Sequence, residues 1–381
     1  MLRKIYLTAI LGLFTSLAFA QTGTLKGVIT DKMTGKPVDF ATVLIIKNGV
    51  QKGATSTGLD GRFTIKPIDP GTYTVKASII GYTSFYLEGV IISVNKITSL
   101  TGDNAIKMTP GIQVDEIEIK GFKKPLIDQD NLSGETKTSK EIVALPTKSI
   151  SSIASTTAGI YQKDEGDAVN IRGSRSDATS YVIDGIKVRG TMGVPTSAIE
   201  QITVVTGGLP AKYGDATGGI IEVTTKGPSD KMFGAFEYES SRIFDAYNYD
   251  LLGLALSGPI YKKTNADGTK GNSVIGYFLS GEFRNVDDSD PSAIGVWKVK
   301  DNVLDDLKAT PFVIAPNAAA GFLSSSDFLT ENDFENVQAK QNRQHRRFNF
   351  AGKLDIKPAK NTFFSIGGTA YNSSYRNYSY W

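Results

Sequence analysis

Two stretches near the end of the chain, RFNFAGKLDIKP (347–358) and NTFFSIGGTAYNSS (361–374), alternate apolar and polar residues over an unusual length. In the first, Phe348, Phe350, Gly352, Leu354 and Ile356 share one side, against Asn349, Ala351, Lys353, Asp355 and Lys357 on the other. The return carries Phe364, Ile366, Gly368 and Ala370 on one face, and the Pro358 to Asn361 connection between them is tight. Side chains alternate across a strand, so each stretch has one apolar and one polar face. Soluble strands average about five or six residues, whereas transmembrane strands run about 9 to 11 with short turns on one side. The pattern predicts antiparallel membrane-barrel strands, with a soluble sandwich as the alternative. SVIGYFLSGEFR (Ile275, Tyr277, Leu279, Phe283) and YNYDLLGLALSG extend it, and the polar stretch 285–345 reads as extracellular loop.

Such strands need an exported chain. MLRKIYLTAILGLFTSLAFA begins with Arg3 and Lys4, continues with an apolar run, and ends in Ala18-Phe19-Ala20 before Gln21. That is a secretory signal peptide over residues 1–20, too short in its apolar run for a membrane anchor. The sequence has no cysteine and one histidine, His345. Disulfides, thiol nucleophiles, thiolate metal sites and lipid anchoring at a cysteine are thereby excluded, and His345, among arginines, reads as a solvated loop residue. No catalytic residue, metal ligand or cofactor is expected. A net charge of +3 over 381 residues gives no argument for nucleic acid as a partner.

From residue 21 to about 110, short β-rich runs alternate with turn signals. Val28-Ile29, Thr42 to Ile46, Arg62 to Ile65 and Thr72 to Ala77 read as strands, and Thr34 to Pro37, Asp60-Gly61 and Pro70-Gly71 as turns. An antiparallel sandwich follows, with Phe63 and Tyr73 in its core. Next, over 111–121, IQVDEIEIKG sets Ile117 and Ile119 against Glu116, Glu118 and Lys120. It suits either a last strand of the sandwich or a segment that adds to the sheet edge of a partner. KKPLIDQDNLSGETKTSKE after it reads as linker.

Residues 122–229 mix short helices and strands. Ser149, Ile150, Ile153, Ala154 and Thr157 fall at helical spacing with Gly159 as the stop. VNIRG ends in Arg172-Gly173, and YVIDGIKV is a hairpin about Asp184-Gly185. Ser197 and Glu200 suggest a capping box opening a one- to two-turn helix before the strand Ile202 to Val205. LPAKYGDATGGIIEVTTK (209–226) resembles a phosphate loop only superficially, because Gly218-Gly219 runs into a β-branched strand and not into a helix. Asp184 reads as a turn residue, and Arg172 with Glu222 as a buried charge pair.

These motifs carry two resemblances. GVITDKMTGKPVDFATVLI with TSTGLDGRFTIKPIDPGTYTVKASIIGY resembles the carboxypeptidase-regulatory-like (transthyretin-like) domain, here without peptidase ligands. LPTKSISSIASTTAGI, NIRG, YVIDGIKV, SAIEQITVVTGG and LPAKYGDATGGIIEVTTKG, in that order, resemble the plug domain of TonB-dependent outer-membrane receptors. The resemblance implies structural roles for Arg172, Gly173, Asp184, Gly185, Tyr213, Gly214, Gly218, Gly219 and Glu222. It places Asp115, Glu116, Ile117, Glu118 and Ile119 as the TonB box, bound by TonB of the inner-membrane motor. The fold class expected is mainly β: a transthyretin-like sandwich, an α/β plug over 122–229, and over 230–381 the start of an antiparallel transmembrane barrel.

It further implies outer-membrane lipid around the barrel, a periplasmic sandwich and TonB box, and import of a ligand such as a siderophore, cobalamin, glycan or peptide. A surface lipoprotein partner is a further implication. About 150 residues after the plug suffice for roughly six strands, against about 22 in such transporters, so the chain reads as truncated, with Trp381 a break in mid-strand. The rival readings are a secreted or surface adhesion module without transport, and a non-functional truncated receptor fragment.

Overall fold

The computed structural model describes residues 22–111, 117–125, 133–188, 193–209, 213, 216–264, 270–314, 321–359 and 362–376. The signal peptide predicted at 1–20 and Trp381 lie outside them. Two compact units divide the chain: Met1–Phe233 with Leu256–Leu279 and Ala351–Gly368, and Gly234–Ala255 with Ser280–Phe350 and Thr369–Trp381.

The first module builds two facing sheets from β1 (Gly23–Asp31), β2 (Thr42–Lys47), β3 (Val50–Ser56), β4 (Arg62–Ile68), β5 (Gly71–Ser78), β6 (Ser84–Ile92), β7 (Ile97–Leu100), β8 (Ile106–Met108) and β9 (Ile117–Gly121). One sheet runs β4-β1-β7, with β8 also on β1; the other runs β3-β2-β5-β6-β9. Alternation sends Leu25, Ile29, Val43, Ile45, Val75, Leu87 and Ile106 into one core, and Phe63 and Tyr73 join it as expected. The Tyr73 hydroxyl donates to the Asp69 carbonyl at 2.7 Å, so its polar end is satisfied inside. The sandwich is not wholly antiparallel: β1–β7, β1–β8 and β6–β9 pair in parallel. Short crossovers between the two sheets return the chain in the same direction, which alternation within a strand does not reveal.

The second module contains β10 (Ser133–Thr138), α1 (Ser139–Val143), α2 (Ile150–Ser155), β11 (Ile160–Tyr161), β12 (Asn170–Ile171), β13 (Thr179–Ile183), β14 (Ile186–Val188), β15 (Ile199–Gly207) and β16 (Gly219–Thr225). Its sheet runs β10-β15-β16-β13-β14. The central β16, GIIEVTT, is buried along its whole length, which is why it reads as an unbroken β-branched run and not as an alternation. Residues 133–141, within the stretch expected as linker, are ordered: β10 pairs with β15, and the Thr136 and Thr203 hydroxyls meet at 3.0 Å. Thr138 and Glu141 then cap α1 reciprocally. The helix expected after Ser197 is a single 3-10 turn, Thr196–Ala198, and Glu200 already lies in β15, because the β-branched run that follows favours extended backbone.

The third region comprises β17 (Phe233–Ser240), β18 (Asp250–Thr264), β19 (Lys270–Val286), β20 (Val296–Val299), α3 (Asp301–Ala309), β21 (Phe312–Ile314), β22 (Phe322–Ser324), β23 (Phe334–Val337), β24 (His345–Ala359) and β25 (Thr362–Tyr375). Five long strands form the sheet β17-β18-β19-β24-β25, which does not close among the described residues. At 14 to 17 residues, β18, β19, β24 and β25 outrun the predicted length. Fifteen residues at about 3.3 Å each extend well beyond a hydrocarbon layer even when tilted.

Their polarity is inverted relative to a soluble sheet. Leu252, Leu254, Leu256, Leu279, Phe348, Phe350, Phe364 and Ile366 are exposed, while Ser257, Ser280, Glu282, Asn349 and Asp355 are buried. A wall with polar residues inside and apolar residues outside has hydrocarbon as its outer solvent. The stretch 285–345, expected as loop, is folded: β20 pairs with β23, β21 with β22, and α3 lies between. His345 opens β24 instead of lying in a loop, with Nε2 2.8 Å from Ser373 Oγ. Among the described residues no helix is long and apolar enough to cross a membrane.

Candidate functional site

The glycine-rich stretch before β16 is explained by what it touches. After β12 the chain makes a left-handed turn through Arg172 (φ 48°) and Gly173 (φ 77°), closed by the Ser174 N–H donating to the Ile171 carbonyl at 3.0 Å. A Cβ on Gly218 would lie 2.6 Å from Ser174 Oγ, and one on Gly219 would lie 2.6 Å from Ile171 Cδ1 and 3.0 Å from the Val205 carbonyl. Glycine is required there because the start of β16 presses against the turn from NIRG, so the two motifs form one structural unit. Arg172 is held by its N–H donating to Gly159 O at 2.8 Å, and its guanidinium lies beside Gly207.

The expected Arg172–Glu222 pair is therefore not formed among the described residues: the left-handed turn carries the guanidinium toward Gly207. Glu222, buried in β16, is instead the acceptor for Tyr213. Burial, together with the charge and hydrogen bond of Glu222, pushes the Tyr213 hydroxyl far above its ordinary range. Gly214 lies outside the described residues.

Asp184 and Gly185 both have positive φ (46° and 78°) and join β13 to β14, as predicted for a two-residue hairpin. Sequence reasoning missed the second role of Asp184. Its carboxylate accepts from the Thr225 N–H at 2.9 Å and from the Thr225 hydroxyl, and its Oδ2 is 3.2 Å from Lys353 Nζ on β24. The turn thus ties the end of β16 to a barrel strand. Phe278 of β19 and Ala351 of β24 also join the hydrophobic core of the second module. Phe278 and Ala351 thus seat the α/β module against β19 and β24.

Of the proposed TonB box, Asp115 and Glu116 lie outside the described residues. Ile117, Glu118 and Ile119 belong to β9, which pairs in parallel with β6 from Ser84↔Ile117 to Glu88↔Gly121. Of the two readings open from the sequence, the segment takes that of an edge strand of the sandwich. Glu118 faces Lys32 Nζ at 3.1 Å and accepts from Thr109 Oγ1 at 3.1 Å.

Comparison with known proteins agrees with this anatomy. Residues 24–103 match the family model of the carboxypeptidase regulatory-like domain, and residues 128–220 that of the TonB-dependent receptor plug domain. The TonB-dependent transporter Oar of Myxococcus xanthus is 25% identical over 241 residues, covering 58% of this chain and 22% of Oar. The probable TonB-dependent siderophore receptor PirA of Acinetobacter baumannii is 28% identical over 183 residues, covering 39% of this chain and 24% of PirA. The crystal structure of the siderophore receptor PirA from Acinetobacter baumannii superposes with a TM-score of 0.42 at 16% identity, covering 66% of this chain and 34% of that one. The matched part of the chain thus spans about a quarter of the length of these curated relatives. The chain thus carries a region that matches the TonB-dependent receptor plug domain behind one that matches the carboxypeptidase regulatory-like domain, and it is similar to TonB-dependent transporters and receptors.

Proposed function

We propose that this chain is part of an energy-coupled importer of an outer membrane, which draws a ligand bound outside into the periplasm. The observation that carries the reading is the plug seated against inward-facing Phe278 and Ala351 of strands whose outer face is apolar. A stopper that fills a lipid-embedded wall blocks the path until something moves it. An outer membrane has no nucleotide supply, so the work comes from TonB, pulling on Asp115, Glu116, Ile117, Glu118 and Ile119. Main-chain hydrogen bonds to an added strand supply the grip. The sandwich and the pulled segment lie in the periplasm, and no step of this cycle makes or breaks a covalent bond.

The test is deletion of residues 114–120 in the full-length receptor. Ligand binding at the cell surface is expected to persist while uptake is lost; undiminished uptake rejects the coupling role.

A further inference from the structure

We propose that the β6 edge of the sandwich is a docking site for the coupling strand Ile117–Gly121, and that this strand exchanges between β6 and TonB. The inference rests on the coupling role given above and adds to it a competitor within the same chain. β9 is the last strand of the order β3-β2-β5-β6-β9, so it occupies a sheet edge that would otherwise lie open.

The polarity of β9 is that of a guest and not of a core strand. Its neighbours on β6, Phe85 and Leu87, are buried in the sandwich, yet their register partners on β9 are Glu118 and Lys120. Ile117 and Ile119 face outward and are 54% and 62% exposed. A strand evolved only to complete the sandwich would turn its isoleucines inward, and a shift of one residue would do so. The observed register leaves both isoleucines available to another surface while the strand is parked.

The downstream end is fastened to the sandwich. Phe122 packs on the sandwich core, and its N–H donates to the Glu88 carbonyl at 2.7 Å. Buried Asn104 clips the next residue, donating from Nδ2 to Lys123 O at 2.7 Å and accepting from Lys123 N at 2.8 Å. Along the strand, Glu118 meets Lys32 and Thr109, and Lys120 Nζ donates to the Asp103 carbonyl, contacts of small worth at part-exposed positions. The β6 ladder and this clip together hold the strand on the sandwich. A strand binding TonB through the same backbone edge must leave β6 first, so the sandwich sets how readily the motor engages.

The experiment uses the full chain in detergent and the purified periplasmic domain of TonB. The chain has no cysteine, so S84C with I117C, a register pair, gives one defined disulfide. The oxidised form is expected to bind TonB at least about tenfold more weakly than the same protein after reduction. N104A, which loses both clip bonds, is expected to bind about tenfold more tightly than wild type. Failure of the disulfide to form on oxidation overturns the docking. Equal binding by oxidised and reduced forms, or an N104A affinity equal to wild type, overturns the competition and leaves the coupling role standing. If TonB binds neither wild type nor a free peptide of residues 112–121, the coupling role itself falls, and the exchange with it.

Discussion

Replacing Asp184 by alanine removes the one carboxylate that joins the β13–β14 turn, the end of β16 and strand β24. Two hydrogen bonds from Thr225 and the 3.2 Å contact with Lys353 are lost together. Bonds to a charged acceptor contribute about 1.5–3 kcal/mol each, but a shared carboxylate does not add linearly. With the side chains of Asp184 and Lys353 still 27% and 18% exposed, the ion pair itself is screened to about 1 kcal/mol. Alanine at φ 46° adds about 1 kcal/mol of left-handed strain. The sum is about 3 kcal/mol of local stability, or roughly a hundredfold rise in exchange where opening is in rapid equilibrium. Asp184→Asn separates the terms, since asparagine tolerates the left-handed turn and still accepts from Thr225 but takes away the negative charge facing Lys353. Its expected cost is about 1 kcal/mol, or about fivefold. Hydrogen exchange of the amides of 179–183 and 219–225, read by mass spectrometry on the receptor in detergent, measures both. If the two variants exchange within about twofold of wild type, the carboxylate does not hold the plug.

Three further outcomes follow from the same geometry. Gly219→Ala places a methyl 2.6 Å from Ile171 Cδ1 and should lower plug stability by about 1–3 kcal/mol in urea melts; an unchanged midpoint refutes the close approach. Leu254→Arg puts a charge on the exposed apolar face and should cost about 2–4 kcal/mol near the bilayer midplane, read as the folded fraction in lipid vesicles; equal yields would place that face in water. Burial raises the Asp230 carboxyl, but the Lys52 hydrogen bond and the Ser273 N–H outweigh it, so its pKa is lowered from 3.8. The stability Asp230 supplies is therefore full above its unfolded value and disappears as pH falls through the lower folded one. Thermal melts should show an acid-side loss below about pH 4 that Asp230→Asn flattens, and a variant with the same acid limb as wild type rules this out.

Local chemistry made much of the fold legible. Asp184-Gly185 and Arg172-Gly173 needed left-handed backbone and took it, and the alternation of residues 347–358 correctly separated an exposed from a buried face. What stayed hidden depends on partners distant in sequence. SGETKT at 133–138 has too little apolar character to read as a strand, and it becomes one because β15 offers an open edge. Glu222 looked ready for Arg172, yet the orientation of a guanidinium is fixed by the turn beneath it, and Tyr213 from a separate loop took the carboxylate instead. Lys353 is one polar position among several on β24, and its tie to Asp184 is a product of assembly.

The place of β10 at the rim of the plug sheet bears on how the module would come apart. Chain coming from the sandwich side touches β10 through Lys124, whose Nζ lies 3.5 Å from Glu135 Oε1, and joins its ladder at Ser133, opposite Gly207. Any tension transmitted from upstream is thus borne first by a polar ribbon with a single neighbour, while the wholly buried β16 sits two ranks further in. Antiparallel ladders loaded at one end open rung by rung, so the seam between β10 and β15 would unzip before the interior yields. The gap left would be one strand wide, and the remainder of the sheet would stay assembled as the template on which that ribbon can re-form.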